Sequence, residues 1–420
     1  MSQFVTSLPE LADRPPRHLL LLYSGGVDGS FLLKVLSDRD IRVTALQVLI
    51  GAGDLGPDEA GTAGEPAGIA SRLGVECRRV DATDEFFTEF LPPAIHADAF
   101  FQGSFPVGST LTRPLMARAA VAVARELGCD AIGHTATYMQ NSAMRITASV
   151  VALAPDLTVV APFLGSDLPR EQKLARLAES GIYFPTGIHS VDANPWSRVI
   201  ECGSLERPEN RLDESVFTLT RDIADTPAQP AELDLTFRAG LPTAVDGTES
   251  DLAGIVGRLN ALAGRHGVGR FSGLEDTPFG VKNHEVRESP AATVISTAHR
   301  CLLNAVLDSR EHAVRSGLAT EWTNVVVGGG WFGHLGQCLA RCLADLDAPV
   351  TGTVRLRLYR GSVTVLETHT EYGLHYARMG QAYHDWMREY SYGPWLSLAT
   401  LGLRNRHHIA RDRERADEAR

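Results

Sequence analysis

"LLLLYSGGVDGSFLLKVL" occupies residues 19–36. Four leucines and Tyr23 read as a strand that is apolar on both faces. A parallel sheet covered by helices on both sides requires such a strand. Ser24, Gly25, Gly26, Val27, Asp28, Gly29 and Ser30 break it, and apolar residues at helical spacing resume at once. A strand that stops on two glycines and feeds a helix presents backbone N–H groups at the helix start. Ser24 and Ser30 add hydroxyls. The result is a cradle for an anion, phosphate above all. Neither GxxxxGK(S/T) nor GxGxxG is present, so the stretch is neither a Walker A loop nor a dinucleotide fingerprint. Asp28 fits an anion cradle when a Mg2+ sits between the acid and the phosphates.

The same texture runs to about residue 165. Strands are expected at 18–23, 42–50, 75–80, 130–134 and 157–162, with helices at 29–37, 65–73, 84–97 and 111–127. The class is α/β with a parallel sheet. Residues 51–66, rich in Gly, Pro and acids, read as a loop beside the place where such sheets bind ligands. After residue 170 the pattern changes. "LDLTFRAGLPTAV" (233–245) and "VTGTVRLRLYRGSVTV" (350–365) alternate as half-exposed antiparallel strands do, and "DLAGIVGRLNALAGRHG" (251–267) reads as a helix with a glycine stop. The expected division is a nucleotide-binding domain at 1–167, an α+β domain at 168–395 and a charged tail at 396–420. The tail is either disordered or a helix packing on another subunit.

The chain has 420 residues and a net charge of −11, which excludes a general nucleic-acid binder but not a local anion site. Six cysteines are scattered without a CxxC pair, as reduced thiols of a cytoplasmic protein would be. Cys338 and Cys342 share a helix face and read as small buried residues. No basic-then-apolar leader and no apolar run of about 18 residues is seen, so neither a signal peptide nor a membrane span is expected.

Several stretches, in order, resemble the argininosuccinate synthase family of PP-loop ATP pyrophosphatases. They are YSGGVDGS (23–30), "GSTLTRPLMARAAVAVARELGCDAIGHTAT" (108–137), "SVDANPWSRVIECGSLE" (190–206), "GRHGVGR" (264–270), "ESPAATVISTAHR" (288–300) and "VTGTVRLRLYRGSV" (350–363). The resemblance covers about residues 19–376. It implies a PP-loop domain, a synthetase domain and a homotetramer with an exchanged C-terminal helix. It also implies a ligase that adenylates the ureido oxygen of citrulline with Mg2+ and ATP, releases pyrophosphate, and couples the intermediate to aspartate. By the same resemblance Tyr23, Ser24, Gly25, Gly26, Asp28, Ser30, Val48 and Thr135 hold ATP, with Asp28, Ser24 and Arg145 catalytic. Phe105, Thr110, Asn141, Arg145, Ser190, Val199, Glu275 and Arg287 fall on citrulline positions, and Ser109, Thr137, Asn141 and Ser142 on aspartate positions.

The chain departs from the family pattern at several of these. Gly29 stands where a Thr is usual, Phe105 for Tyr, Val199 for Ser, Ser142 for Asp and Arg287 for Tyr. The loop GATGKGND is here Thr135–Ser142, TATYMQNS. An acid lost and a base gained predict a pocket about two charges more positive, hence a ligase with altered substrates, serving specialised metabolism. The rival readings are an authentic citrulline–aspartate ligase whose changes compensate and a catalytically silent ATP-binding relative. Arg113 and Arg118 are either carboxylate holders or structural ion pairs. His134, His266 and "GGGWF" (328–332) read as structural, and His407 and His408 lack the companions a metal site needs.

Overall fold

The computed structural model describes residues 3–39, 41–51, 65–166, 168–184, 190–277, 280–375 and 380–418. The loop expected at 51–66 lies almost wholly outside the described residues. The first half runs β1 (Phe4–Val5), α1 (Leu8–Asp13), β2 (Leu19–Leu22), α2 (Val27–Ser37), β3 (Val43–Leu49), α3 (Pro66–Arg72), β4 (Glu76–Asp81), α4 (Thr83–Glu85) and α5 (Leu91–His96). It continues through β5 (Phe100–Phe101), β6 (Phe105–Pro106), α6 (Ser109–Leu127), β7 (Ala131–Gly133), α7 (Asn141–Leu153), β8 (Thr158–Val160) and α8 (Arg170–Ala178). Every side chain of β2 is buried, as the leucine run predicts. The sheet order is β1-β8-β7-β2-β3-β4, with every pair parallel. All five expected strands form. The chain winds one way from β2 to β4 and then returns to the other side of β2. That reversal opens a crevice at the carboxyl ends of β2 and β7, the usual ligand position in such sheets. Among the elements not expected from sequence, α7 matters most, because it begins at Asn141.

The second half contains β9 (Ser190–Asn194), β10 (Ser197–Glu201), β11 (Ala231–Arg238), β12 (Leu241–Val245), β13 (Thr248–Glu249), α9 (Leu252–Arg265), β14 (Arg270–Asp276) and β15 (Lys282–Glu288). Three helices follow, α10 (Pro290–Val306), α11 (Ser309–Val327) and α12 (His334–Leu346), then the hairpin β16 (Gly352–Tyr359) and β17 (Ser362–His369). They form antiparallel sheets of four strands (β14-β15-β10-β9) and five strands (β13-β12-β11-β16-β17). Residues 1–372 make one compact unit and 373–420 a second. The second unit holds α13 (Gln381–Glu389), α14 (Tyr392–Ala399) and α15 (Leu401–Glu418). The charged tail is therefore helical, which corrects the disordered alternative; its Ala, Leu, Arg and Glu content favours that state. Neither α13 nor α14 buries a residue, and Trp386 and Trp395 are 49% and 61% exposed. Among the described residues no helix is long and apolar enough to cross a membrane. Cys342 is exposed and Cys338 half-buried beside His334 and Arg341, so the expectation of a buried pair fails.

The core of the second half is pinned by one carboxylate. Asp347, fully buried just after α12, accepts hydrogen bonds from His96 Nδ1 (3.0 Å), His299 Nε2 (3.0 Å) and Arg315 Nε (2.7 Å). Gly240, with φ +81°, lies so close that a Cβ there would stand 2.8 Å from both Asp347 and His96. Burial alone would raise the Asp347 carboxyl, but its donors outweigh burial and hold it well below the usual 3.8. Its contribution to stability is therefore complete above that unfolded value and is lost as pH falls below it. Asp347→Ala leaves Arg315 buried and uncompensated, and urea unfolding at pH 7 is expected to show a loss of about 3–5 kcal/mol. Part of that difference should disappear below pH 3.8, measured by the same unfolding curves.

Candidate active site

The loop after β2 lies at the crevice. Gly26 precedes α2 without a side-chain cap, so the first N–H groups of the helix have no capping partner. Gly25 has φ +85°, and a Cβ there would stand 2.7 Å from Pro66. Ser24 is exposed. Tyr23 is buried, its hydroxyl 2.9 Å from that of fully buried Ser30, and burial raises the phenol to about 12. Gly29 is buried under the Tyr23 ring; a Cβ there would lie 2.7 Å from Tyr23 Cδ2. The space that a threonine would take is occupied by the tyrosine.

Asp28 is half-exposed and meets a cation the sequence reading missed. Lys173 of α8, almost wholly buried, donates to Asp28 Oδ1 at 2.8 Å and lies 4.6 Å from the centre of the Phe163 ring. One Asp28 oxygen is spent on Lys173. Among the described residues no cluster of three His, Cys, Asp or Glu is placed to hold a metal ion. Val48, half-buried on β3, and half-buried Thr135 border the same crevice from neighbouring strands. His134, just after β7, is buried with Nε2 3.0 Å from Thr147 Oγ1, and burial pushes its imidazole down to about 4. It is neutral and packed, as expected.

The second part of the site is one face of the four-stranded sheet. Residues two apart on a strand share a face. On β15 that face carries Asn283, Glu285 and Arg287, opposite Glu275, Gly273 and Phe271 of β14. Val199 of β10 pairs with both Arg287 and Asp192, and Glu201 with Ser190. The other face is apolar, with Ile200, Val286, Leu205 and Val216 packed together. The starts of α6 and α7 and the β5–β6 hairpin meet the polar face. Gly273 makes room for the Phe105 ring, 3.2 Å from where its Cβ would be.

Arg145, 2% exposed, donates Nη2 to Glu275 Oε1 (3.3 Å), Nη1 to Ser109 Oγ (2.9 Å) and Nε to the Val327 carbonyl (3.0 Å). Arg287 is equally buried. It pairs with Glu285, lies 3.8 Å from Glu275 and sits 4.0 Å above the centre of the Phe105 ring. Asn141 donates to the Asp276 carbonyl (2.8 Å). Arg113 donates to Ser142 Oγ (3.1 Å) and pairs with Asp192 (2.6 Å), while Arg118 pairs with Glu85 and Glu89, so both arginines are structural ion pairs. Thr110 and Val199 are buried, Thr137 is half-buried and Ser190 is exposed.

These contacts correct the predicted charge. Arg113, Arg145 and Arg287 face Asp192, Glu201, Glu275 and Glu285, so the face carries more carboxyls than cations. The base gained at Arg287 is paired with Glu285, and the acid absent at Ser142 has a counterpart in Asp192. Lys173, Asp192, Glu201 and Glu285 escaped sequence reading. Alternation in "KNHEVRE" (282–288) would have placed Glu285 and Arg287 together. Nothing local marked Lys173. "GGGWF" is structural: Gly329, φ +92°, lies against the backbone of α7, and Trp331 stacks on Phe90 at 4.8 Å.

Comparison with known proteins identifies the family. Residues 18–183 match the arginosuccinate synthase N-terminal HUP domain and residues 189–387 the arginosuccinate synthase C-terminal domain. The argininosuccinate synthase of Synechococcus elongatus is 36% identical over 363 residues, covering 86% of this chain and 90% of that one. Those of Rubrobacter xylanophilus (36% over 355 residues; 83% and 85%) and Streptococcus suis (34% over 354 residues; 83% and 87%) are similar to the same extent. With both domains matched in order and relatives a third identical over most of their length, the chain belongs to the argininosuccinate synthase family.

Proposed function

We propose that the protein joins citrulline to aspartate, consuming ATP and giving AMP and pyrophosphate. The observation that carries this is an uncapped Gly25–Gly26 helix start together with a buried Arg145–Glu275 pair in a chain 36% identical to an argininosuccinate synthase over 363 residues. In the first step the ureido oxygen of citrulline attacks the α-phosphorus, and the bond to pyrophosphate breaks. In the second, the aspartate amine attacks the ureido carbon and loses a proton, and AMP leaves with the former ureido oxygen. Splitting the reaction in this way replaces a poor leaving group with a good one.

The chain's residues position and stabilise. N–H groups of Gly25, Gly26 and the first turn of α2 would meet the departing pyrophosphate, where negative charge grows. Ser24 is exposed enough to donate to it, and Ser30 holds Tyr23. Asp28, with one oxygen unspent, would face a Mg2+ that arrives with the phosphates and shields their charge. Arg145 spends every nitrogen on the protein, so its part is to hold Glu275 and Ser109 for the amino-acid substrates. Citrulline would lie along Phe105, Thr110, Asn141, Ser190, Val199, Glu275 and Arg287, and aspartate by Ser109, Thr137, Asn141 and Ser142. An altered substrate pair loses its main support, because the added cation is already paired. The exposed aromatic residues of α13 and α14 suit burial against a second copy, as in a homotetramer.

Pyrophosphate release is expected to require Mg-ATP, citrulline and aspartate together, and citrulline labelled with 18O in the ureido group should yield labelled AMP. Failure of either result with active, ATP-binding protein would overturn the reading. Gly29→Thr is expected to overpack the Tyr23 ring, costing about 1–3 kcal/mol in unfolding free energy and weakening ATP binding measured by calorimetry. Deleting residues 380–420 should lower the molecular mass in light scattering from tetramer towards monomer.

A further inference from the structure

The polar sheet face carries one acid in excess. Arg113 is spent on Asp192, and two buried arginines remain for Glu201, Glu275 and Glu285. Glu275 and Glu285 share a hydrogen bond. Asn283 donates to Glu201 (2.8 Å) and reaches Glu285 (3.4 Å). Arg287 Nε is buried without a partner, a donor left unspent on the same face. A face with one acid more than its cations and one idle donor is built to be completed by a ligand with a positive group and an acceptor. An amino acid has both.

We propose that Glu285 completes the citrulline pocket as a second carboxyl beside Glu275, and that it releases a proton to solvent when the substrate's α-ammonium binds. The inference rests on the reading of this face as the citrulline site. Charge balance supports it. Burial, with Glu275 and Glu201 adding to it, pushes Glu285 up to about 8 despite the pull of Arg287. Burial also opposes ionisation of Glu275, but Arg145 and Arg287 outweigh it and keep that carboxyl charged. Glu201 too is raised by burial. The free face therefore holds one proton near neutrality, on Glu285, and an incoming ammonium takes its place.

The sign follows from linkage. A ligand that expels a proton binds more tightly as pH rises, by up to about tenfold per pH unit below the free carboxyl's midpoint, and levels off above it. The test is calorimetric titration of citrulline into full-length protein saturated with Mg2+ and α,β-methylene-ATP. At pH 7, paired buffers of different protonation enthalpy should reveal close to one proton released per citrulline. Affinity should fall by up to about tenfold between pH 8 and pH 7. Glu285→Gln should abolish both the release and the slope. Binding without proton release in the unmodified protein overturns this inference and leaves the citrulline reading intact. Release that survives Glu285→Gln but vanishes in Glu201→Gln assigns the proton to the wrong acid and also overturns it. No citrulline binding at any pH sinks the parent reading and this inference together. Should Glu285→Gln fail to fold, the proton count on the unmodified protein still decides.

Discussion

The buried guanidinium of Arg145 is satisfied at each of its three nitrogens by a different element, and the candidate site depends on that arrangement. Its three donors go to the start of α6, to β14 and to the end of α11. An arginine left unpaired in such a place would cost several kcal/mol, so the three elements cannot drift apart independently. Since α7 follows β7, and β7 lies beside β2 in the parallel sheet, Arg145 couples the nucleotide loop to the polar sheet face. The glycines around it serve the same constraint. Gly329 lets the turn after α11 lie against α7, and Gly273 lets Phe105 reach the sheet.

How much was legible in the sequence depended on the range of the interaction. The five apolar strands of the first half announced themselves, because a strand buried on both faces has no polar residue to confuse the pattern. The helix at Asn141–Leu153 did not, because its start lies in the altered TATYMQNS loop and carries no recognised cap. Family motifs named the candidate pocket residues, but they could not say what each faced. Lys173 is the clearest case. Its partner Asp28 lies 145 positions away, and neither local pattern nor spacing links them.

The charge of the pocket shows the same limit more sharply. Counting substitutions gave a pocket richer in positive charge. Counting pairs gives the reverse, because Glu285 and Asp192 stand where the new arginine and the missing acid would otherwise leave an imbalance. A substitution's charge has meaning only with its partner, and partners across a sheet are set by register. The conserved chemistry of the family is therefore compatible with a pocket whose individual residues differ.

Two buried carboxyls, Asp347 and Glu285, respond to opposite surroundings. Asp347 has four donors within reach, from His96, His299 and two nitrogens of Arg315, and each of these partners is a donor rather than a competing acid. Burial is overcome and the group stays charged at any ordinary pH, so it can only hold the fold. Glu285 has one arginine, a distant amide and two acid neighbours. There burial wins, and the group sits near the point where a single added charge tips it. Low dielectric magnifies both outcomes. What separates the two is the ratio of donors to acids around the carboxyl: saturated in the core behind α12, and short by one on the polar sheet face.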